Sequence, residues 1–478
     1  MYRPIQAFHL FVAQFIRYHL GDATYGSTSS GVIGPPRLIL PYEDVDTKPV
    51  GTDDRTRSDI GLVVCGMDAD AALVEGKPYN SEQFAVIEAK ASASRAAAES
   101  AAENAANRQS EWLDADTSQA FRQLFMYTRQ VYANQHDRRF MWGITACDTR
   151  VSVCILTSGG ALASHEMDVG TAQGRRQYTQ LLVNWSLCDW HQLGFDPSVR
   201  WRKDLEYWEI DVPRLATASD SADQQLAASS TTYFFDKAYV AADHLFGRHT
   251  RCFPASLERP ESNKPIEPDV LIKDAWSYVR RNGGEHSEVS FMNRIRRMLE
   301  QDKELRNNLP TLVDGGPVRM DSNGTLVNDT TDSILGELHP MLRPAGDDSS
   351  DYHYAHNRMA MTPIGKRLRY IPSIADLMLV MHDAVRAHKA VLDNCHVLHR
   401  DISENNIMFH HDADGNIHGM LIDFDNAVDS GAAQQDSRPI CTGTLPFMSV
   451  NNIRQANIPR IAVDDMESFL YLLLWLGT

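Results

Sequence analysis

The chain has 478 residues, 43% of them hydrophobic and 23% charged, with a formal net charge of -17. The length exceeds one ordinary core and predicts two domains, the composition is that of a soluble globular protein, and the acidic balance argues against nucleic acid or an anionic membrane as principal partner. Seven cysteines (Cys65, Cys147, Cys154, Cys188, Cys252, Cys395 and Cys441) stand singly without a C-x-x-C pair. That spacing excludes the usual zinc and disulfide frameworks and implies a reducing, intracellular setting, cytoplasmic or nuclear.

Residues 1–21 are apolar in places, but Gln6, His9, Gln14, Arg17 and His19 interrupt them, which predicts an amphipathic helix rather than a signal segment. No uninterrupted apolar stretch of about 18 residues occurs, so no membrane span is expected. Strand patterns follow at 59–67 and 84–90, helical patterns at 91–107 and 118–134, and strands again at 140–146 and 151–157. Together these predict a separate α/β domain over residues 1–214. The small, polar run 216–232 reads as a linker, placed at 215–233, with a second domain over 234–478.

Within the first region Asp59 and the Glu88-Ala89-Lys90 triplet lie on successive strands. This D…E-x-K pattern resembles the restriction-endonuclease-like metal site, which implies Mg²⁺ held by the acids and a lysine that orients water. A surface Glu and Lys at a strand end explain the same triplet equally well. A basic groove for such an enzyme would draw on Lys90, Arg95, Arg108, Arg138 and Arg139.

In the second region residues 270–273 (VLIK) form a strand ending in Lys273, and Glu288 opens an apolar helical repeat at Val289, Met292 and Ile295. Residues 315–350, rich in Gly, Asp, Ser, Asn and Pro, read as a loop-heavy insertion. Ile374, Leu377, Met378, Met381, Ala384, Val385, His388, Val391 and Leu392 repeat at helical spacing and lead to His399-Arg400-Asp401 with Asn406 five residues on. Two short apolar runs, 407–409 and 420–422, flank the turn-rich HHDADGNIHG and predict a β-hairpin that delivers Asp423-Phe424-Asp425. H-R-D-x-x-x-x-N followed by an aspartate suits phosphoryl transfer, where one carboxylate positions the nucleophile while separate hard oxygen ligands hold Mg²⁺ on the phosphates.

HRDISENNIMF, LIDFD, TGTLPFM and DDMESFLYLLLW together resemble the fungal-type protein kinase family, from about Phe234 onward. The resemblance implies an α+β, bilobal kinase fold with ATP between its lobes and a protein substrate. It implies Asp401 as catalytic base, Asn406 and Asp423 as Mg²⁺ ligands, Lys273 on the α- and β-phosphates with Glu288 as its partner, and Asp465 as the buried acid of the large C-lobe helix. The adenine-binding hinge is expected at Met361 and Thr362, and the phosphate-covering loop at 245–253, where Gly247 stands alone.

Several positions depart from the kinase pattern. Asp425 replaces the glycine of D-F-G, Ser403 stands where many Ser/Thr kinases carry lysine, and Ser449-Val450-Asn451 occupy the A-P-E position. Ser437, Thr442 and Thr444 are candidate phosphorylation sites for pairing with Arg400, or plain substrate-platform hydroxyls. The terminal helix is apolar on nearly every side, which predicts a large lobe truncated after that helix, or a partner that covers it. The departures leave a kinase-like scaffold without activity as the alternative to a Ser/Thr kinase, and nuclease-like activity in the first region as a second.

Overall fold

The computed structural model describes residues 38–42, 60–65, 83–90, 115–202, 205–215, 230–240, 242, 244–261, 264–280, 287–322, 325–342, 352–430, 443–454 and 460–477. The expected helices at 1–21 and 91–107, Asp59, the centre of the expected linker, Ser437 and Thr442 lie outside the described residues, as do the side chains of Glu88 and Lys90. The chain forms two compact units, neither of them continuous in sequence. One comprises residues 1–200, 240–251 and 319–350, and the other residues 201–239, 252–318 and 351–478.

The first unit is built on a sheet whose strands run β1 (Leu38–Tyr42), β2 (Ile60–Cys65), β3 (Gln83–Lys90), β4 (Met141–Cys147), β5 (Arg150–Thr157) and β6 (Gly160–Ala163), with β7 (Met167–Asp168) also paired to β5. All pairs are antiparallel except β3 with β4, which are parallel and joined through helix α1 (Ala115–Asn134). A parallel pair needs such a crossover. Leu124, Val131 and Tyr132 of α1 pack with Met141, Cys154 and Leu156 of the sheet. Gly143 permits this approach, since a Cβ there would lie 2.7 Å from Leu124. Helix α2 (Ala172–Leu187) starts at Thr171, whose hydroxyl accepts from the Gly174 amide.

Residues 319–342, expected as a loop-heavy insertion of the kinase region, belong to this first unit. They form a hairpin, Arg319–Ser322 with Thr325–Asn328, then a short helical turn capped by Thr330. Asp329 anchors them: it accepts from Arg139 Nε at 2.7 Å and from Arg139 Nη2, and both side chains are almost wholly buried. Arg138 is also buried, bonded to Gln135 Oε1 and Leu193 O and lying over the Phe195 ring. Both arginines are therefore interior structural groups, which removes them from any basic groove.

In the second unit β8 (Val199–Arg202), β9 (Tyr207–Pro213) and β10 (Ser230–Phe235) form one sheet. β9 and β10 pair antiparallel from Pro213↔Ser230 to Trp208↔Phe235, so the polar run between them joins two strands of one unit. Its composition marks a connection, and composition cannot distinguish a hairpin loop from a link between domains. A second sheet has the order β11 (Arg251–Ala255), β12 (Val270–Arg280), β14 (Tyr352–Thr362), β13 (Thr311–Pro317).

Helix α3 (Glu288–Gln301) is capped by Ser287 and buries Val289, Phe291, Met292, Ile295, Met298 and Leu299. Helix α4 (Ile374–Cys395) is capped by Ser373 and ends on His396 in the left-handed conformation, φ +54. The hairpin β15 (Ile407–His411) and β16 (Ile417–Leu421) pairs Ile407 with Leu421, and its strands run further into the turn-rich segment than their apolar residues alone indicate. One core joins α3, α4, this hairpin, Phe424, and Phe469 and Leu472 of helix α5 (Ala462–Leu476). The opposite side of α5 leaves Leu470, Leu474 and Trp475 exposed. Among the described residues Cys147, Cys154, Cys188, Cys252 and Cys395 are free thiols, and no helix is long and apolar enough to cross a membrane.

Candidate active site

The His399-Arg400-Asp401 segment follows α4 through the short strand Val397–Leu398, which pairs with Val428–Asp429. Arg400 takes φ +68, a conformation that costs a side-chain-bearing residue about 1–3 kcal/mol. Asp465, in the first turn of α5, holds it there: Oδ2 accepts from the Arg400 amide at 3.2 Å and contacts His388 Nε2 at 2.8 Å. Burial pushes the Asp465 carboxyl up, but the His388 hydrogen bond and neighbouring charges outweigh it and leave its pKa below the usual value. His399 contacts the Ile422 carbonyl at 2.9 Å, and its ring lies 4.8 Å from that of Phe424. Burial lowers its pKa.

Asp401 is thereby presented with both carboxylate oxygens engaged by the chain. Oδ1 accepts from the amide and hydroxyl of Thr444, each at 3.0 Å, and Oδ2 from Asn426 Nδ2 at 3.1 Å. Asn406 donates its Nδ2 to the Asp401 carbonyl at 2.8 Å, leaving Oδ1 as its acceptor. The Ile422 amide donates to the Asn406 carbonyl at 3.0 Å, so the hairpin's return strand brings Asp423 beside Asn406.

Lys273 projects from β12 opposite Met359 of β14. Its Nζ lies 2.7 Å from Glu288 Oε2, 2.6 Å from Asp423 Oδ1 and 3.1 Å from Asp425 Oδ2. Burial opposes the lysine's charge, but Asp423, Asp425 and Glu288 outweigh burial and hold its pKa well above the ordinary value. Glu288 is pushed up to about 8 by burial and then by the Asp425 charge, with Lys273 pulling the other way. Glu288 also accepts from the Phe424 amide at 3.1 Å, tying α3 to the segment after the hairpin.

Glu288, Asp423 and Asp425 place oxygens within 4.8 Å of one another. Of the three, Asp423 has the most accessible side chain, 28% exposed against 4% for each of the others. An accessible carboxylate oxygen on Asp423 and a free amide oxygen on Asn406 fit a Mg²⁺ ion, which takes hard oxygen ligands and retains several waters.

A protein-family comparison matches residues 86–477 to the fungal protein kinase model. The chain belongs to the fungal protein kinase family. No curated protein matches it. The family match begins inside β3, well before Phe234, so this fungal protein kinase shares with its family most of the region expected to be a separate domain. Membership points to a phosphotransferase and to general use of ATP with a divalent metal.

The residues expected at the site are distributed unequally between the units. Lys273, Glu288, Asp401, Asn406 and Asp423 all belong to the second unit, as do Met361 and Thr362. Met361 pairs with Leu271 and Leu312 at the end of β14, and the Thr362 hydroxyl donates to the Asp269 carbonyl. Gly247 belongs to the first unit, where its amide donates to the Ser158 carbonyl at 2.8 Å and its φ is +101. It is placed there as a turn residue whose conformation favours glycine.

Four further contacts were not evident from spacing: Thr444 and Asn426 on Asp401, Asp425 on Lys273, and Ser449 on Asp464. Ser449, at the A-P-E position, is fully buried and donates to Asp464 Oδ1 at 2.6 Å. It joins the end of that segment to α5, in a stretch that lacks the glutamate of the A-P-E pattern. The signal was available only as unusual residue types at familiar offsets.

Proposed function

We propose that the protein transfers the γ-phosphate of Mg-ATP to a serine or threonine hydroxyl of a protein substrate. The observation that carries this reading is the gathering of Lys273 and Glu288, 2.7 Å apart, in one unit with Asp401, Asn406 and Asp423. Asp423 and Asn406 would hold the Mg²⁺, which supplies charge neutralisation on the phosphates. Lys273 donates hydrogen bonds to phosphate oxygens, and Glu288 fixes the direction of the lysine. Met361 and Thr362 lie at the strand end from which the adenine-binding connection would start.

Asp401 orients the substrate hydroxyl and accepts its proton as the oxygen bonds to the γ-phosphorus and the bond to the β,γ-bridging oxygen breaks, releasing ADP. The Thr444 hydroxyl already sits 3.0 Å from Asp401 Oδ1, which supports a site shaped for small aliphatic hydroxyls. The test is transfer of labelled γ-phosphate from Mg-ATP to generic protein and to matched Ser, Thr and Tyr peptides. Asp401→Asn should reduce transfer by about 10²–10⁴-fold, the usual contribution of a positioned base. No transfer by a folded sample would favour the kinase-like scaffold, a reading supported by the single glycine, Gly247, in the stretch 245–253.

A further inference from the structure

Protein kinases ordinarily carry glycine at the position of Asp425, and an acid there has a physical cost. Its side chain is 4% exposed, it shares one lysine with two other carboxyl groups, and all three acids crowd within 4.8 Å. Carboxylates this close repel one another, so drawing three acids around one ammonium is unfavourable. Where a chain retains such a group next to reacting machinery, function is the natural place to seek the compensating gain.

The geometry shows what that gain can be. A lysine ammonium has three N–H donors, and Lys273 has three carboxylate neighbours, at 2.6, 2.7 and 3.1 Å. Asp423 is the outward member, and Glu288 and Asp425 are the inward ones. They approach Lys273 from separate elements, Glu288 from the first turn of α3 and Asp425 from the segment after β16. Between Asp423 and Asp425 lies Phe424, with a fully buried ring and an amide bonded to Glu288. The Asp423-Phe424-Asp425 segment is thus held at all three residues.

We propose that Asp425 is a positioning residue, a second permanent anchor for Lys273 that shares with Glu288 the task a single glutamate performs in other protein kinases. Resting on the kinase reading above, the assignment divides the three carboxylates by role. Asp423, the most exposed of the three, turns to the metal, one lysine N–H becomes available to phosphate, and Glu288 and Asp425 retain the other two. Each inward acid supplies part of the hold on the lysine, and loss of both releases it.

The experiment compares Glu288→Gln, Asp425→Asn, the double variant, Asp425→Glu and Lys273→Met in the full chain. Two readouts are used: acylation of Lys273 in the nucleotide-free protein, mapped by mass spectrometry, and KM for ATP against kcat. Each single variant should acylate about tenfold faster, the factor that one lost hydrogen bond to a charged group is worth. Each should also raise KM for ATP more than it lowers kcat, while the double variant should fall to the activity of Lys273→Met. Asp425→Glu, which restores a carboxylate, should recover protection and KM if the loss is of an anchor rather than of the fold. Unchanged acylation and KM in Asp425→Asn, failed recovery in Asp425→Glu, or a Glu288→Gln variant as defective as the double, would overturn the assignment. Absence of phosphoryl transfer in the unaltered protein would overturn the kinase reading instead, and the acylation readout would still decide the anchor.

Discussion

Asp329→Ala is expected to be among the most damaging single changes in the first unit, although Asp329 is far from the phosphoryl-transfer residues in sequence. Its carboxylate makes two hydrogen bonds with Arg139, and the two side chains are 0% and 4% exposed. Removing it leaves a buried guanidinium with the His191 carbonyl, 2.9 Å from Nη1, as a neutral partner. Breaking a buried pair on one side costs about 3–5 kcal/mol. For a unit of this size that corresponds to a fall in melting temperature of about 6–20 °C. Trp142 and Trp185, 5.5 Å apart in the same unit, provide the fluorescence signal for urea unfolding. The double variant Arg139→Met with Asp329→Leu should recover most of the loss, because no charge is then stranded. A cost below about 1 kcal/mol for Asp329→Ala, the level of an exposed pair, would refute the buried anchoring of residues 319–342 to this unit.

Other perturbations address the site and the pH response. Asp465→Ala should cost about 3 kcal/mol, as expected for removing a buried charged acceptor, and should lower kcat by releasing Arg400 from its positive φ; denaturant titration and transfer assays measure the two effects. Thr444→Val should reduce transfer about tenfold while Thr444→Ser retains it, since the Asp401 carboxylate loses a hydroxyl donor in the first variant only. In the first unit, burial pushes Asp137 up to about 6 and His136 down to about 4. Folded Asp137 keeps a proton that the unfolded chain has lost between about pH 4 and 6, so its contribution to stability falls as pH rises there. Folded His136 lacks a proton that the unfolded chain holds between about pH 4 and 6.5, so its contribution rises. The two slopes oppose, and Asp137→Asn should unmask a rise of up to about 1.4 kcal/mol per pH unit, read from urea midpoints at pH 4.5 and 6. A flat profile in that variant would refute the assignment.

The residues of the candidate site could be singled out in the sequence because the chemistry proposed for them is tied to short offsets. Four residues separate Asp401 from Asn406, and a hairpin visible from its apolar runs returns the chain at Asp423. Lys273 stood out within a strand pattern, although the strand runs on to Arg280 instead of ending at the lysine, and Glu288 stood out as the start of an amphipathic helix. Gly247 did not, because a glycine at positive φ serves equally in a phosphate loop and in a plain turn, and only tertiary placement separates them. The expected domain boundary fell inside the β9–β10 pair because polar composition records exposure to water and carries no information on which strands will pair. Arg138 and Arg139 looked like surface charge for a related reason: their hydrogen-bond acceptors lie at Gln135, Leu193 and Asp329, the last 190 residues from Arg139 in sequence.

The interleaving of the two units also governs how this protein can be made and cut. The chain passes from one unit to the other at residues 200/201, 239/240, 251/252, 318/319 and 350/351. During synthesis the first unit cannot acquire its Asp329 anchor until the ribosome has passed residue 329, after α3 and most of the β11–β14 sheet have already emerged. At about 5–20 residues per second, Arg139 waits about 10–40 s for its partner. Expression fragments divided near residue 214 or 233 would give each half pieces of both units, with β9 parted from β10. A fragment strategy would need to retain residues 319–350 with the first unit, as a linked or co-expressed segment, rather than follow a single boundary in the chain.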